Sequence, residues 1–302
     1  MARLIKPVSE AVASEPWRYL HEIADSANPR IVKAFLDAVF SVKNGFNRRR
    51  YVSILERYDF ERALNELNWE YIANTEMLPE VAATLRDVLE SAAQFLPLPV
   101  NADIAWDILD PRAVAWVREE SGTLITNITQ QTRQAVRETI QRGFEKGQSV
   151  QQMAETIRDT VGMNTRQAGA YARYKEDLMA RGLPESRVKT LADAYERKLI
   201  KQRATLIART ESIKAANEGW RQGIDKAAED NLLDPNVWEI AWIVTQDDRK
   251  CEKCQSMRGK RRPINGVYAE GEYKGTKGPP AHPGCRCAER TARKSERIKK
   301  AA

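Results

Sequence analysis

The chain has 302 residues, 42% of them hydrophobic and 30% charged, with a mean hydropathy of −0.58. That length can bury a sizeable core. No apolar run approaches the roughly eighteen residues of a membrane span, and the N-terminal stretch MARLIKPVSEAVASEPW lacks an apolar core of signal-peptide length. A membrane protein and an exported disulfide scaffold are set aside, and a reducing intracellular setting is expected. The net charge of +7 is unevenly spread: residues 249–302 hold 16 Lys or Arg against five Glu, or +11, while residues 1–248 sum to −4.

The expected fold is mainly α: an elongated helical body with a small C-terminal α+β module stapled by zinc. Three sections are read, a helical region at 1–100, a helical domain at 101–232 ending in a long helix, and a basic β-rich module with a tail at 233–302. Residues 1–100 carry no assignable motif.

From Asn28 to Gly182 the pattern is helical and repeatedly capped. Asn28-Pro29 and Asp110-Pro111 read as caps followed by a first-turn proline, whose missing N–H costs nothing there. Ser149 with Gln152, and Asn164 with Gln167, have capping-box spacing. Between them FLPLPVNAD at 95–103 holds two prolines and predicts a hinge. Trp17, Trp69, Trp106 and Trp116 sit at apolar positions of helical segments and are expected in the core.

From Pro184 to Asn231 no proline intervenes, and Leu199, Leu206, Ile213, Trp220 and Ala227 form one apolar seam on a long helix. A second seam would need apolar residues where Gln202 and Arg209 stand, so packing on one side only is predicted. After Asp234-Pro235 the period changes. Val237 to Thr245 is β-branched and aromatic, with Trp238, Ile240, Trp242 and Val244 alternating onto one face, which predicts a strand whose tryptophans are core. RGKRRPINGV, with Asn265-Gly266, reads as a hairpin, YKGTKGPPAHPG as a loop, and the terminal RTARKSERIKKAA as a disordered tail.

All four cysteines and one of the two histidines fall in this module, as Cys251-Glu-Lys-Cys254 and His282-Pro-Gly-Cys285-Arg-Cys287. Thiolate and imidazole donors at that density point to a tetrahedral Zn²⁺ site, with five candidates for four positions. Each two-residue spacing lets one tight turn aim two donors at one ion. Cys285 and Cys287 point opposite ways if extended, so Cys285 is the expected ligand and the last position stays open between His282 and Cys287. A disulfide conflicts with the expected compartment, and a redox CxxC would want a helix N-terminus where a basic loop follows. So small a β module cannot bury enough core alone, and structural zinc supplies about 10–16 kcal/mol in comparable domains. Around the site Arg258, Lys260, Arg261, Arg262 and Arg286 form a cationic set suited to nucleic acid or an acidic protein surface.

Ala208-Arg209-Thr210-Glu211, Asn217, Gly219, the tryptophan strand, Asp247-Asp248-Arg249, CEKC and PPAHPGCRC at 279–287 together resemble the C-terminal domain of the phage Mu F-like head-morphogenesis family. The resemblance covers roughly residues 110–290, with its specific motifs within 208–287. It implies a non-enzymatic minor head protein of a tailed bacteriophage, made in the host cytoplasm and placed in the capsid interior near the portal vertex. The partners it implies are portal or major capsid protein and, for the basic end, double-stranded DNA without sequence preference. Arg209, Thr210, Glu211, Asn217, Asp247 and Arg249 are the motif positions carried over. Where many relatives have Arg-x-x-His this chain has Cys251 and Cys254, so the zinc expectation rests on its own residues. Thr210 and Asn217 lie seven apart on one helix face, whereas Arg209 and Glu211 do not share one; all four are expected to anchor the helix to the metal module by hydrogen bonds, in preference to direct partner contact.

A zinc hydrolase or nuclease would keep an open coordination position and a nearby base. Thiolates at nearly all positions argue for a closed site; only Asp247, Asp248 and Glu252 offer bases, and His21 lies far off in sequence. A cellular zinc-ribbon nucleic-acid binder would present two Cys-x-x-Cys knuckles, whereas this chain ends in Cys-x-Cys.

Overall fold

The computed structural model describes residues 16–94, 106–245 and 251–295. The hinge expected at 95–103, the positions Asp247, Asp248 and Arg249, and the chain from 296 onward lie outside the described residues.

The helices in order are α1 (Pro16–Asn44), α2 (Arg48–Glu56), α3 (Phe60–Glu66) and α4 (Trp69–Ile72), which passes through a π-helical turn (Ala73–Met77) into α5 (Leu78–Gln94). Then follow α6 (Pro111–Glu145), α7 (Val150–Thr160), α8 (Thr165–Ala180) and α9 (Glu185–Glu229). The C-terminal module adds β1 (Trp238–Ile243), a single turn α10 (Glu252–Gln255), β2 (Arg261–Arg262) and β3 (Ala288–Arg293). The chain is therefore mainly helical with a small C-terminal sheet, as expected. By packing it divides into one unit of residues 1–29, 83–118 and 206–302, and another of 30–82 and 119–205.

Both capping boxes form: the Ser149 and Asn164 side chains accept from the backbones of Gln152 and Gln167, whose amides reach back to the cap residues. Asp110 opens α6, its carboxylate accepting the Arg112 N–H at 2.8 Å. Asn28-Pro29 does not start a helix, because α1 begins at Pro16 and runs through Pro29. An interior proline removes one helical hydrogen bond. The apolar stripe of Leu20, Ile23, Ala24, Ala27, Ile31, Ala34, Phe35 and Ala38, all buried, is continuous across it and outweighs that loss.

The unit of 30–82 and 119–205 contains α2, α3, α4, α7 and α8. At its core lies Arg203, whose guanidinium donates to the Gly162 carbonyl at 2.9 Å, Gln131 Oε1 at 3.0 Å and Thr132 Oγ1 at 3.3 Å. It also lies over the Phe35 ring. Burial without a carboxylate pulls its pKa down to about 10.

The long helix α9, whose residues 185–205 belong to this unit and 206–229 to the other, departs from expectation twice. Leu199, Ile213, Trp220 and Ala227 are buried, but Leu206 is 48% exposed, and its place is taken by Ala204 and Ala208. A 3.6-residue helix rotates away from a strict heptad, so the seam cannot keep one facing. From Ser212 to Ala227 the helix is buried on several sides rather than one. Small residues permit this: a Cβ on Gly219 would sit 2.1 Å from the Leu89 carbonyl oxygen of α5. Ala215, Ala216 and Ile224 are likewise enclosed.

The sheet has the order β2-β1-β3, both pairings antiparallel, with Ile240 opposite Arg262 and Thr291. The predicted strand at 237–245 is β1. Two expectations beside it fail. Asn265-Gly266 joins no strands; the segment turns through a Gly266 N–H to Pro263 carbonyl bond and wraps the Arg262 side chain, which donates to the Pro263 and Ile264 carbonyls. The tail expected from Arg290 instead has its first residues, Arg290–Arg293, inside β3, which pairs along all six residues of β1.

Candidate metal centre

Two connections of the sheet, from β1 to β2 and from β2 to β3, bring the candidate ligands together. The first, between β1 and β2, carries the CEKC turn: Cys251 precedes α10, whose Gln255 N–H bonds the Cys251 carbonyl at 3.1 Å. The second ends at β3 with a matching turn, the Cys285 N–H bonding the His282 carbonyl at 3.0 Å. The two-residue spacings thus make the tight turns that chemistry at one ion requires.

The five donors fall into two overlapping triples, Cys251, Cys254 and His282, and Cys254, Cys285 and Cys287, each with its donor atoms within 4.8 Å of one another. These groups are so placed that they can hold a metal ion. Cys254 belongs to both. Its sulfur lies 3.2 Å from His282 Nε2 and 3.9 Å from the Cys285 sulfur. Zinc–sulfur bonds of about 2.3 Å at tetrahedral angles separate two sulfurs by about 3.8 Å, so the spacing fits such an ion. His282 Nδ1 lies 3.0 Å from the Pro283 carbonyl. That contact makes Nδ1 the protonated nitrogen and leaves the Nε2 lone pair facing the sulfurs, the tautomer a metal-bound histidine needs.

The sulfurs differ in environment. Backbone N–H groups of Cys254 and Lys253 hold the Cys251 thiol below its ordinary pKa. Hydrogen bonding from Cys287, aided by the backbone N–H groups of Cys287 and Ala281, draws Cys285 down to about 5. Burial pushes Cys254 up to about 12, and the neighbouring Cys285 with burial pushes Cys287 up strongly. Burial works to lower His282, but the Pro283 carbonyl and the nearby cysteines hold it above its usual value. Trp242, Val244, Met257 and Tyr268 pack around the sulfurs, with Tyr273 stacked on Trp242 at 5.9 Å. Trp242 is therefore core, as its strand position predicts.

The family-motif positions split by role. Thr210 Oγ1 accepts the Gly284 N–H at 3.0 Å, and buried Asn217 donates to the Cys287 carbonyl at 3.4 Å and to the Ile213 carbonyl at 2.8 Å. Both tie α9 to the ligand loop. Arg209 is exposed and Glu211 half-buried.

The cationic set is mostly committed inside the module. Lys260 pairs with Glu270 at 2.7 Å and Arg261 with Glu239 at 2.5 Å. Arg262 does not face outward as expected: it is 4% exposed and bound to fully buried Glu289 at 3.0 Å, while Arg221 of α9 reaches the same carboxylate at 3.3 Å. Tyr268 donates to it as well. A buried carboxylate needs such partners, and Arg262 is the nearest across β1. Arg258 and Arg286 are half-buried.

His21, set apart by sequence distance, belongs to this neighbourhood. Its Nε2 lies 2.9 Å from the carbonyl of Arg286, between the two cysteines of CRC. A separation of 265 residues leaves no local signal for that contact.

A mainly helical chain whose C-terminal sheet module holds four cysteines and one histidine is the class these features define. A family model described as phage Mu protein F like protein matches residues 134–290, more than half of the chain, and the chain belongs to that family. Membership points to phage head morphogenesis. No curated protein and no solved structure matches the chain. Among the described residues no helix is long and apolar enough to cross a membrane.

Proposed function

We propose that the chain is a structural, non-enzymatic minor head protein of a tailed bacteriophage, docked on portal and capsid interior through its helical surfaces and completed by a structural Zn²⁺. The family match over 134–290 carries the head role. The two triples sharing Cys254 support the metal. Cys251, Cys254, His282 and Cys285 are taken as the ligands: Cys254 belongs to both triples, its sulfur lies 3.2 Å from His282 Nε2 and 3.9 Å from the Cys285 sulfur, and Cys251 completes the first triple. Cys287, the second cysteine of the Cys-x-Cys pair, is taken as the spare donor. Bound there, zinc supplies a cross-link between the two connections of the sheet, and four protein donors leave no position for a reacting water.

The protein is assembled in the host cytoplasm and resides in the virion near the portal vertex. Its basic end meets packaged double-stranded DNA through phosphates, without sequence preference. Three of the five expected cations are already paired internally, so this contact is weak and falls steeply with salt.

Quantitative protein analysis of purified virions and of DNA-free proheads tests the role: the protein is expected in both at a few copies per particle, and absence from both overturns the reading. Duplex binding by the full-length chain at low and moderate salt tests the DNA contact, which a salt-independent or null response removes.

A further inference from the structure

The loop from Gly284 to Cys287 is gripped from outside the sheet at every residue whose backbone faces another element. Thr210 takes the Gly284 N–H and Asn217 the Cys287 carbonyl, both from α9. Between them the Arg286 carbonyl accepts from the Thr245 hydroxyl at the end of β1 and faces His21 Nε2 of α1 at 2.9 Å. A carbonyl can only accept, so His21 carries its proton on Nε2. The ring is set by Trp17, one turn earlier, edge-on at 5.8 Å between centroids. The peptide thus held is the Arg286–Cys287 one, inside the Cys-Arg-Cys segment, so its orientation constrains how that segment presents its sulfurs to Cys254.

We infer that His21 is a positioning residue of the metal centre and that docking of the first helix and occupancy of the metal site are coupled. This rests on the metal reading given above. Groups that fix metal ligands through a hydrogen bond typically alter affinity by about 10–100-fold when removed. Coupling of this kind is reciprocal: whatever displaces the start of α1 weakens metal binding, and metal binding steadies the start of α1 by the same factor. A partner that engages the N-terminal helix in an assembling head is thereby coupled to a centre near the other end of the sequence.

The test uses the full chain in reducing buffer, with zinc alone as the probe and a chromophoric chelator as competitor. His21→Leu is expected to weaken zinc binding about 10–100-fold, whereas His21→Gln, whose amide can donate to the same carbonyl, stays within a few-fold of the parent. The independent measurement is hydrogen exchange of the unsubstituted protein with and without zinc. Zinc is expected to slow exchange at Leu20–Asp25 while leaving α8 unchanged. Equal zinc affinity in the parent and His21→Leu, or α1 exchange indifferent to zinc, overturns the coupling. Failure of the metal reading is separate, because the parent chain then binds no stoichiometric zinc at all.

Discussion

Two regions bury arginine, and they do so by opposite means. In the unit of 30–82 and 119–205, Arg203 is surrounded by a large apolar core and satisfied by neutral oxygens alone, at the cost of a depressed pKa. In the C-terminal module, Arg262 and, from α9, Arg221 meet at one carboxylate, Glu289, with Arg221 also paired to Glu218, and the neighbouring core contains three buried cysteines. A helical unit with a large apolar core tolerates one charge held by dipoles. A three-stranded sheet whose shortest strand has two residues lacks that reserve, and its interior is organised by full charges and by sulfur.

The sharpest way to break this comparison is at the sulfur cluster. Cys254→Ser removes the donor common to both triples, and a strong chelator is expected to have the same effect. Structural zinc contributes about 10–16 kcal/mol in small domains, so the largest change is expected here. Zinc content should fall from about one per chain to none, and the segment after Pro235 should become protease-sensitive while far-ultraviolet circular dichroism barely changes. Cys287→Ser should keep its zinc, which separates the spare donor from the ligands. Protease resistance unchanged in Cys254→Ser would remove the structural role of the site.

Next in size is Glu289→Ala. It leaves buried Arg262 without its carboxylate, while Arg221 keeps Glu218 at 2.9 Å, and breaking a buried pair from one side costs about 3–5 kcal/mol. Arg203→Met probes the other region by the same logic with a smaller outcome. It leaves the Gly162 carbonyl without its donor but no charge unmatched, for about 1–3 kcal/mol. Denaturant midpoints of the two variants give the ordering directly, and an Arg203→Met loss equal to that of Glu289→Ala would erase the distinction.

The same contrast governs how much was legible in the sequence. Caps and apolar periods are local, so the capping boxes at Ser149 and Asn164, the long helix α9 and the strand β1 are all readable from neighbours in sequence. Local reading failed where tertiary packing overruled it, as at Pro29 inside α1 and at Leu206, where helical drift turned an expected seam residue outward. The donor spacing was legible because each pair closes one turn. The strand β3 was not, since AERTAR has no apolar alternation and is specified by pairing with β1 and by arginines that come from β2 and α9. His21 was invisible for a simpler reason, because a hydrogen bond to a backbone carbonyl places no demand on the identity of Arg286.

The smallest expected effect sharpens the comparison through pH. Asp225 of α9 lies near the charged cluster without a carboxylate hydrogen bond of its own in the pattern around Glu289, and burial raises its pKa from 3.8 to about 6. Arg262 opposes that rise and Glu218 adds to it. A carboxyl whose folded pKa exceeds its unfolded one favours the folded state when protonated. Its contribution is fully present below the unfolded value of 3.8 and is lost as pH rises through about 6. Asp225→Asn, which stays neutral, should therefore stabilise the protein at pH 8 and leave it unchanged at pH 4. Discounted for partial exposure to about 1 kcal/mol, the gain is about 2–4 °C in melting temperature. An equal gain at both pH values would show that shape rather than charge limits this site, and that Arg262 is already fully engaged by Glu289.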